Sequence, residues 1–115
     1  MAVTVNSYNF GLIEIDGKGY ASDVVIFPDR VQANWWRKTG HELSLEDIAE
    51  VIAEHPEVVV VGTGDSGLMK VLTEVKQGLD AKGIGLIVQP TGQACNTYNQ
   101  LCCSRKAVGA FHITC

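Results

Sequence analysis

The chain has 115 residues, 46% of them hydrophobic and 19% charged, with a formal net charge of −4. That length suits one domain with its own core and excludes two, and so apolar a composition excludes a disordered chain. Lys and Arg are scattered except at Arg37-Lys38 and Arg105-Lys106, which argues against a surface that neutralises nucleic-acid phosphates.

Residues 1–115 therefore read as a single domain. Met1 to Tyr8 holds no basic segment followed by an apolar run, and no apolar stretch nears the ~20 residues that cross a bilayer. The expectation is a cytoplasmic protein with neither membrane nor nucleic-acid partner.

The first third reads as β. Tyr8 to Ile15 alternates in part, Asp16-Gly17-Lys18-Gly19 supplies a hairpin turn, and Val24-Val25-Ile26-Phe27 reads as a strand buried on both faces. Pro28-Asp29 breaks the run. Val31 to Trp36 alternates again, with Val31, Ala33 and Trp35 on one face and Gln32, Asn34 and Trp36 on the other.

The rest alternates helix and strand. Ser44 suits an N-cap with Asp47 reaching back, and Leu45, Ile48, Ala49 and Ile52 share a helical face that Pro56 ends. Val58 to Val61 has the pattern of a central parallel strand. Gly62 to Gly67 then turns into a second helix carrying Leu68, Val71, Leu72, Val75 and Leu79, with Gly83 at its C-terminal cap. Ile84 to Val88 forms the next strand, parallel to Val58–Val61 through a right-handed crossover. Thr91 caps a third helix that turns Ala94, Cys95, Tyr98, Leu101 and Cys102 inward, and Val108 to Ile113 closes the sheet. The expected fold is three-layer α/β, a central mixed sheet with helices and an N-terminal β-hairpin layer.

Cys95, Cys102, Cys103 and Cys115 form no C-x-x-C pair, and His41, His55 and His112 show no ligand spacing. Four reduced thiols and no metal site or cofactor are expected.

Gly62-Thr63-Gly64-Asp65-Ser66-Gly67 matches G-x-G-x-x-G in the right context for a dinucleotide fingerprint. Yet Gln89 stands where the ribose-binding acid belongs, and Asp65 would oppose a pyrophosphate, so a tight turn that needs glycine is the preferred reading. The same loop resembles the surroundings of a nucleophilic serine, with His112 as a candidate base and no acid to name. Capping is the simpler role for Ser66.

Placed in the first turn of the second helix, Lys70 either pairs with Glu74 or joins Arg37, Lys38 and two helix starts in an anion site. That site would comprise Arg37, Lys38, Gly62, Thr63, Gly64, Ser66, Lys70 and Thr91. Trp35 and Trp36 point to opposite faces, one into the core and the other into either a second core layer or a contact surface with Arg37.

Several of these segments together resemble one family. They are Asn34-Trp35-Trp36-Arg37-Lys38-Thr39-Gly40-His41, the Gly62–Gly67 loop with Leu68-Met69-Lys70-Val71, Pro90-Thr91 to Ala94 with Tyr98-Asn99, and Gly109 to Cys115. Over nearly its whole length the chain is similar to the Mth938-like family, a domain of unknown function. The family includes an animal adipogenesis-associated protein and, more distantly, a mitochondrial factor for respiratory complex I assembly. The resemblance implies a three-layer α/β fold, with no established activity or cofactor. It carries over Trp36, Arg37, Gly62, Gly64, Lys70, Thr91, Asn99, Phe111 and His112 as motif matches without assigned roles.

Three functional readings follow. One is a non-catalytic binding module that takes a small anionic ligand. Another is a protein-interaction or assembly factor, with a protein partner or a second copy meeting a surface at Trp36 and Arg37. The third is a small enzyme using Ser66, Lys70 or His112.

Overall fold

A computed structural model describes residues 3–114. Strands β1 (Val5–Asn9), β2 (Leu12–Ile15) and β3 (Lys18–Tyr20) form an antiparallel meander. Tyr8 to Ile15 is thus two strands rather than one, because Gly11 at φ +78° reverses the chain between them. Asp16 (φ +47°) and Gly17 (φ +82°) turn the second hairpin, as Asp-Gly favours. The strand they lead into is β3, not Val24–Phe27.

The central sheet has the order β5-β4-β10-β7-β9, from β4 (Val24–Phe27), β5 (Arg30–Gln32), β7 (Val58–Thr63), β9 (Gly85–Gln89) and β10 (Ala107–His112). β7 runs parallel to both β9 and β10, with Val58 opposite Gly85 and Ala107, whereas β4 is antiparallel to β10. The sheet is mixed, as expected. Its last strand in sequence, however, does not close an edge but lies at the middle. Expected to run to Trp36, β5 stops at Gln32: Asn34 takes φ +55°, and the Trp35 N–H donates to the Asp23 carbonyl.

Alternate side chains of strands buried on both faces make two cores. Val25, Phe27, Val59, Val61, Val108 and Ala110 face one side, and Val24, Ile26, Val58, Val60 and Phe111 the other. The first side is covered by a 3-10 turn (Glu46–Ile48), α1 (Ala49–Ala53) and α2 (Thr73–Ala81), the second by α3 (Thr91–Leu101) and the meander. Asn99 fastens the meander to α3 by exchanging hydrogen bonds with both backbone groups of Val5. Tyr98 adds a bond from its hydroxyl to the Val3 carbonyl.

The first helix is shorter than its apolar pattern suggests. Asp47 accepts from the Ser44 N–H and hydroxyl, half of the expected box. His55 then turns left-handed (φ +54°) ahead of Pro56. A larger departure follows β7. No helix starts after Gly67. Residues 64–69 loop back, and β8 (Lys70–Val71) pairs in parallel with β6 (Glu42–Leu43), so α2 begins only at Thr73. Leu68, Val71 and Leu72 mimic helical spacing, but Met69 is the residue that enters the core, and its N–H bonds to the Thr63 carbonyl.

Cys95, Cys102 and Cys103 are free thiols; Cys115 lies outside the described residues. No helix among them is long and apolar enough to cross a membrane.

Candidate functional site

The parallel strands β7, β9 and β10 end together, and the residues that follow them pack around one buried polar cluster. Asp23 precedes β4, which runs antiparallel to β10 with Val24 opposite Phe111. The next position therefore sets Asp23 beside His112. Its Oδ2 lies 2.8 Å from His112 Nδ1 and accepts from Arg37 Nη1 at 2.8 Å. The other oxygen, Oδ1, accepts from the Ile113 N–H at 2.9 Å.

A carboxylate can only accept, so the proton on this edge of the imidazole is assigned to Nδ1. Arg37 Nη2 also stands 3.0 Å from Nδ1; with that nitrogen protonated, Nη2 instead donates to the Gly40 carbonyl at 2.9 Å. The guanidinium lies 4.8 Å over the Trp35 ring, and His41 meets His112 edge-on at 6.0 Å. Burial alone would raise the Asp23 carboxyl, but hydrogen bonds from His112, the Ile113 N–H and Arg37 outweigh it and hold it below its ordinary value. Arg37 Nε is buried with no acceptor among the described residues.

Thr91 joins the strand ends. Its hydroxyl accepts from the Gly64 N–H at 2.9 Å and donates to the His112 carbonyl. It is the first residue of α3 rather than its cap, and Pro90 stands before it. A side chain at Gly62 would sit 2.8 Å from both Phe111 Cδ1 and Thr91 Oγ1, and Gly64 takes φ +103°. Gly67 takes φ +71° as well, so packing at the first glycine of the fingerprint and turn geometry at the other two account for all three. Thr63 is spent on the Gln89 carbonyl at 3.1 Å.

The other residues expected at the site scatter. Arg37 is buried and paired rather than offered to an anion. Lys38 is exposed, 3.9 Å from Glu46. Lys70 lies on β8, not in a helix, and its side chain is exposed. Because no helix follows the loop, the two helix starts expected to converge here reduce to that of α3. Ser66 sits exposed on the loop, with no helix behind it to cap, while His112 is buried against Asp23. Asp65 bonds through its N–H to the Thr114 carbonyl and accepts from the Tyr8 hydroxyl at 3.4 Å. Burial and then Asp65 push that hydroxyl up to about 12.

Sequence reasoning missed Asp23, the acid it had no means to name for His112. The signal was its position: a carboxylate immediately before a fully apolar strand needs a partner at the rim of the core. Phe10 was missed as well. Three large apolar side chains stay exposed around this end: Trp36 (75%), Phe10 (60%) and Leu68 (58%). Trp36 precedes Arg37, Leu68 precedes Met69 on Thr63, and Phe10 precedes Gly11, whose N–H donates to the Ile113 carbonyl. Of the two tryptophans, Trp35 is the core residue, its indole donating to the Asp47 carbonyl at 3.1 Å.

Known proteins share this fold. A conserved hypothetical protein of Pyrococcus horikoshii superposes with a TM-score of 0.84 at 28% identity, over 97% of this chain and 99% of that one. A Bordetella pertussis protein described as a Mth938-like domain gives 0.65 at 22% identity, over 96% and 85%, a likeness of fold. Human NADH dehydrogenase [ubiquinone] 1 alpha subcomplex assembly factor 3 is 31% identical over 112 residues, 95% of this chain and 59% of that protein. The chain thus spans somewhat more than half the length of this relative. Residues 5–113 match the family model described as protein of unknown function (DUF498/DUF598), and the chain belongs to that family.

Proposed function

We propose that this domain is a protein-docking module of the assembly-factor kind, which meets its partner at the carboxyl end of the central sheet. The observation that carries this reading is the exposure of Trp36, Phe10 and Leu68 around a frame locked by Asp23, Arg37, His112 and Thr91. Large apolar side chains on a rigid base are what interface cores are made of. Support also comes from the human relative, whose name is that of an assembly factor.

The test places a photo-crosslinking residue at position 36 and, as control, at Lys82 beyond α2. A partner captured at position 36 and not at 82 is purified and titrated against the wild type and Trp36→Ala. A loss of about tenfold or more in affinity, with unchanged melting temperature, is expected. Equal capture at both positions, or undiminished affinity of Trp36→Ala, overturns the reading.

A second reading keeps the anion pocket at Gly62–Gly67 and Thr91. What favours it is the start of α3, where the Thr91 N–H is taken by the Gly64 carbonyl but no side chain caps those of Gly92 and Gln93. It has lost its best cation, because Arg37 is neutralised by Asp23. A phosphate-induced rise in melting temperature that Thr91→Val abolishes would restore it to first place.

A further inference from the structure

The two edges of the central sheet differ. β5 follows Pro28 and Asp29 and carries Arg30, which pairs with Asp29 and Glu54. Charge and proline of this kind protect an edge from pairing with another chain. β9 at the other edge reads Gly85-Leu86-Ile87-Val88-Gln89, with no charge and no proline. Val88 is 41% exposed.

The register of β9 defines what its open side offers. The Gly85 N–H donates to the Glu57 carbonyl, and the Gln89 carbonyl accepts from Thr63. Backbone groups alternate along a strand, so Gly85, Ile87 and Gln89 face β7, and Leu86 and Val88 turn their N–H and C=O groups outward. An open groove of about 440 Å³ runs along this edge, with Lys76 and Asp80 of α2 on one wall and Leu86 and Val88 on the other.

We infer that β9 is a dimerisation edge, occupied by β9 of a second copy in antiparallel register about a two-fold axis at Ile87. In that register Leu86 lies opposite the partner's Val88, and each exchanges both backbone hydrogen bonds with the other. Every cross-strand pair from 86 to 88 is then apolar, Ile87 meeting its own symmetry mate. The charges agree with the same axis. α2 leads into β9 through a short turn, so Asp80 lies toward Leu86 and Lys76 toward Val88. The two-fold therefore sets Asp80 against the partner's Lys76, and Lys76 against the partner's Asp80. An edge whose hydrogen-bonding groups, apolar side chains and flanking charges are all self-complementary fits a second copy of this chain. This inference does not rest on the docking reading, which concerns another part of the surface.

Sedimentation of the full chain tests it. A dimer is expected at about 100 µM protein. Val88→Lys, which places a charge on the exposed edge, should yield a folded monomer. Asp80→Lys should weaken the dimer at least tenfold at low salt, and Lys76→Asp combined with Asp80→Lys should restore it. If Val88→Lys fails to fold, the charge series and hydrogen exchange decide. On dilution the Leu86 and Val88 amides should lose protection while that of Ile87 keeps it. A wild-type monomer at that concentration overturns the inference, whether or not β9 then takes up a strand of another protein. So does a dimer indifferent to both Val88→Lys and the charge reversal, or one whose Leu86 and Val88 exchange does not change on dilution. Crosslinking at Trp36 reads the docking proposal separately, so either can fail without the other.

Discussion

Asp23 carries an unusual share of the polar interior. One carboxylate answers a buried arginine, a buried histidine and the Ile113 N–H, so its removal leaves the Arg37 cation in the core without a counter-ion. Asp23→Asn should therefore lose about 3 kcal/mol of stability at neutral pH, read by urea denaturation. The pH dependence follows from the depressed carboxyl. The native state holds it below the ordinary value of 3.8, so its contribution is fully present above the unfolded-state value. It fades as pH falls through the lower folded one. The gap between wild type and Asp23→Asn should stay wide down to about pH 4 and narrow below it. A gap that persists unchanged in acid would mean that the carboxylate charge is not what holds Arg37.

Among the elements, the strand-to-loop junction after β7 decides how the sheet ends. Gly62 lies where the Phe111 ring and the Thr91 hydroxyl close over the backbone. Gly62→Ala should cost about 1–3 kcal/mol in thermal or urea unfolding, because both neighbours are buried and neither can swing away. Gly83→Ala has open space around it and should cost about 1 kcal/mol, for its left-handed backbone alone. Equal losses at the two sites would remove packing from the account.

These contrasts also mark what the sequence discloses. Strands β4, β7 and β10 are legible because a short, nearly unbroken apolar run suits a strand buried on both faces, and the Val58–Val61 to Ile84–Val88 crossover follows from chain handedness. The stretch 68–72 misleads because its spacing fits a helix as well as it fits a loop that buries Met69 and a short β8. That pairing with β6 is settled by residues far away in sequence. The polar cluster was half legible. Arg37 and His112 stand in conspicuous segments, whereas Asp23 becomes meaningful only once antiparallel pairing sets β4 against β10. Lys70 shows the converse: a cation suggestive in the sequence whose helix does not exist.

For the whole molecule, burial ranks the three described thiols. Cys95 lies on the buried face of α3, where burial pushes it up to about 12, and burial followed by the exposed Cys103 raises Cys102 to about 11. Of the three described thiols, maleimide under native conditions should label Cys103 first and Cys95 only as the protein unfolds, with mass spectrometry after proteolysis giving the order. Early labelling of Cys95 would show that α3 separates from the sheet well short of global unfolding.

The position of β10 bears on how the chain reaches this state. The strand that holds the middle of the sheet follows the other described strands in sequence, and its neighbours β4 and β7 precede it by tens of residues. While the ribosome is still working upstream of residue 107, both neighbours present bare apolar edges with a slot one strand wide between them. Folding of the sheet therefore waits until residue 112 has been made, and in that interval the nascent chain is a natural client for chaperones and for stray strands alike. A synthetic peptide spanning β10, added in trans to a chain cut before it, would compete for a slot that in the native protein is filled only from within.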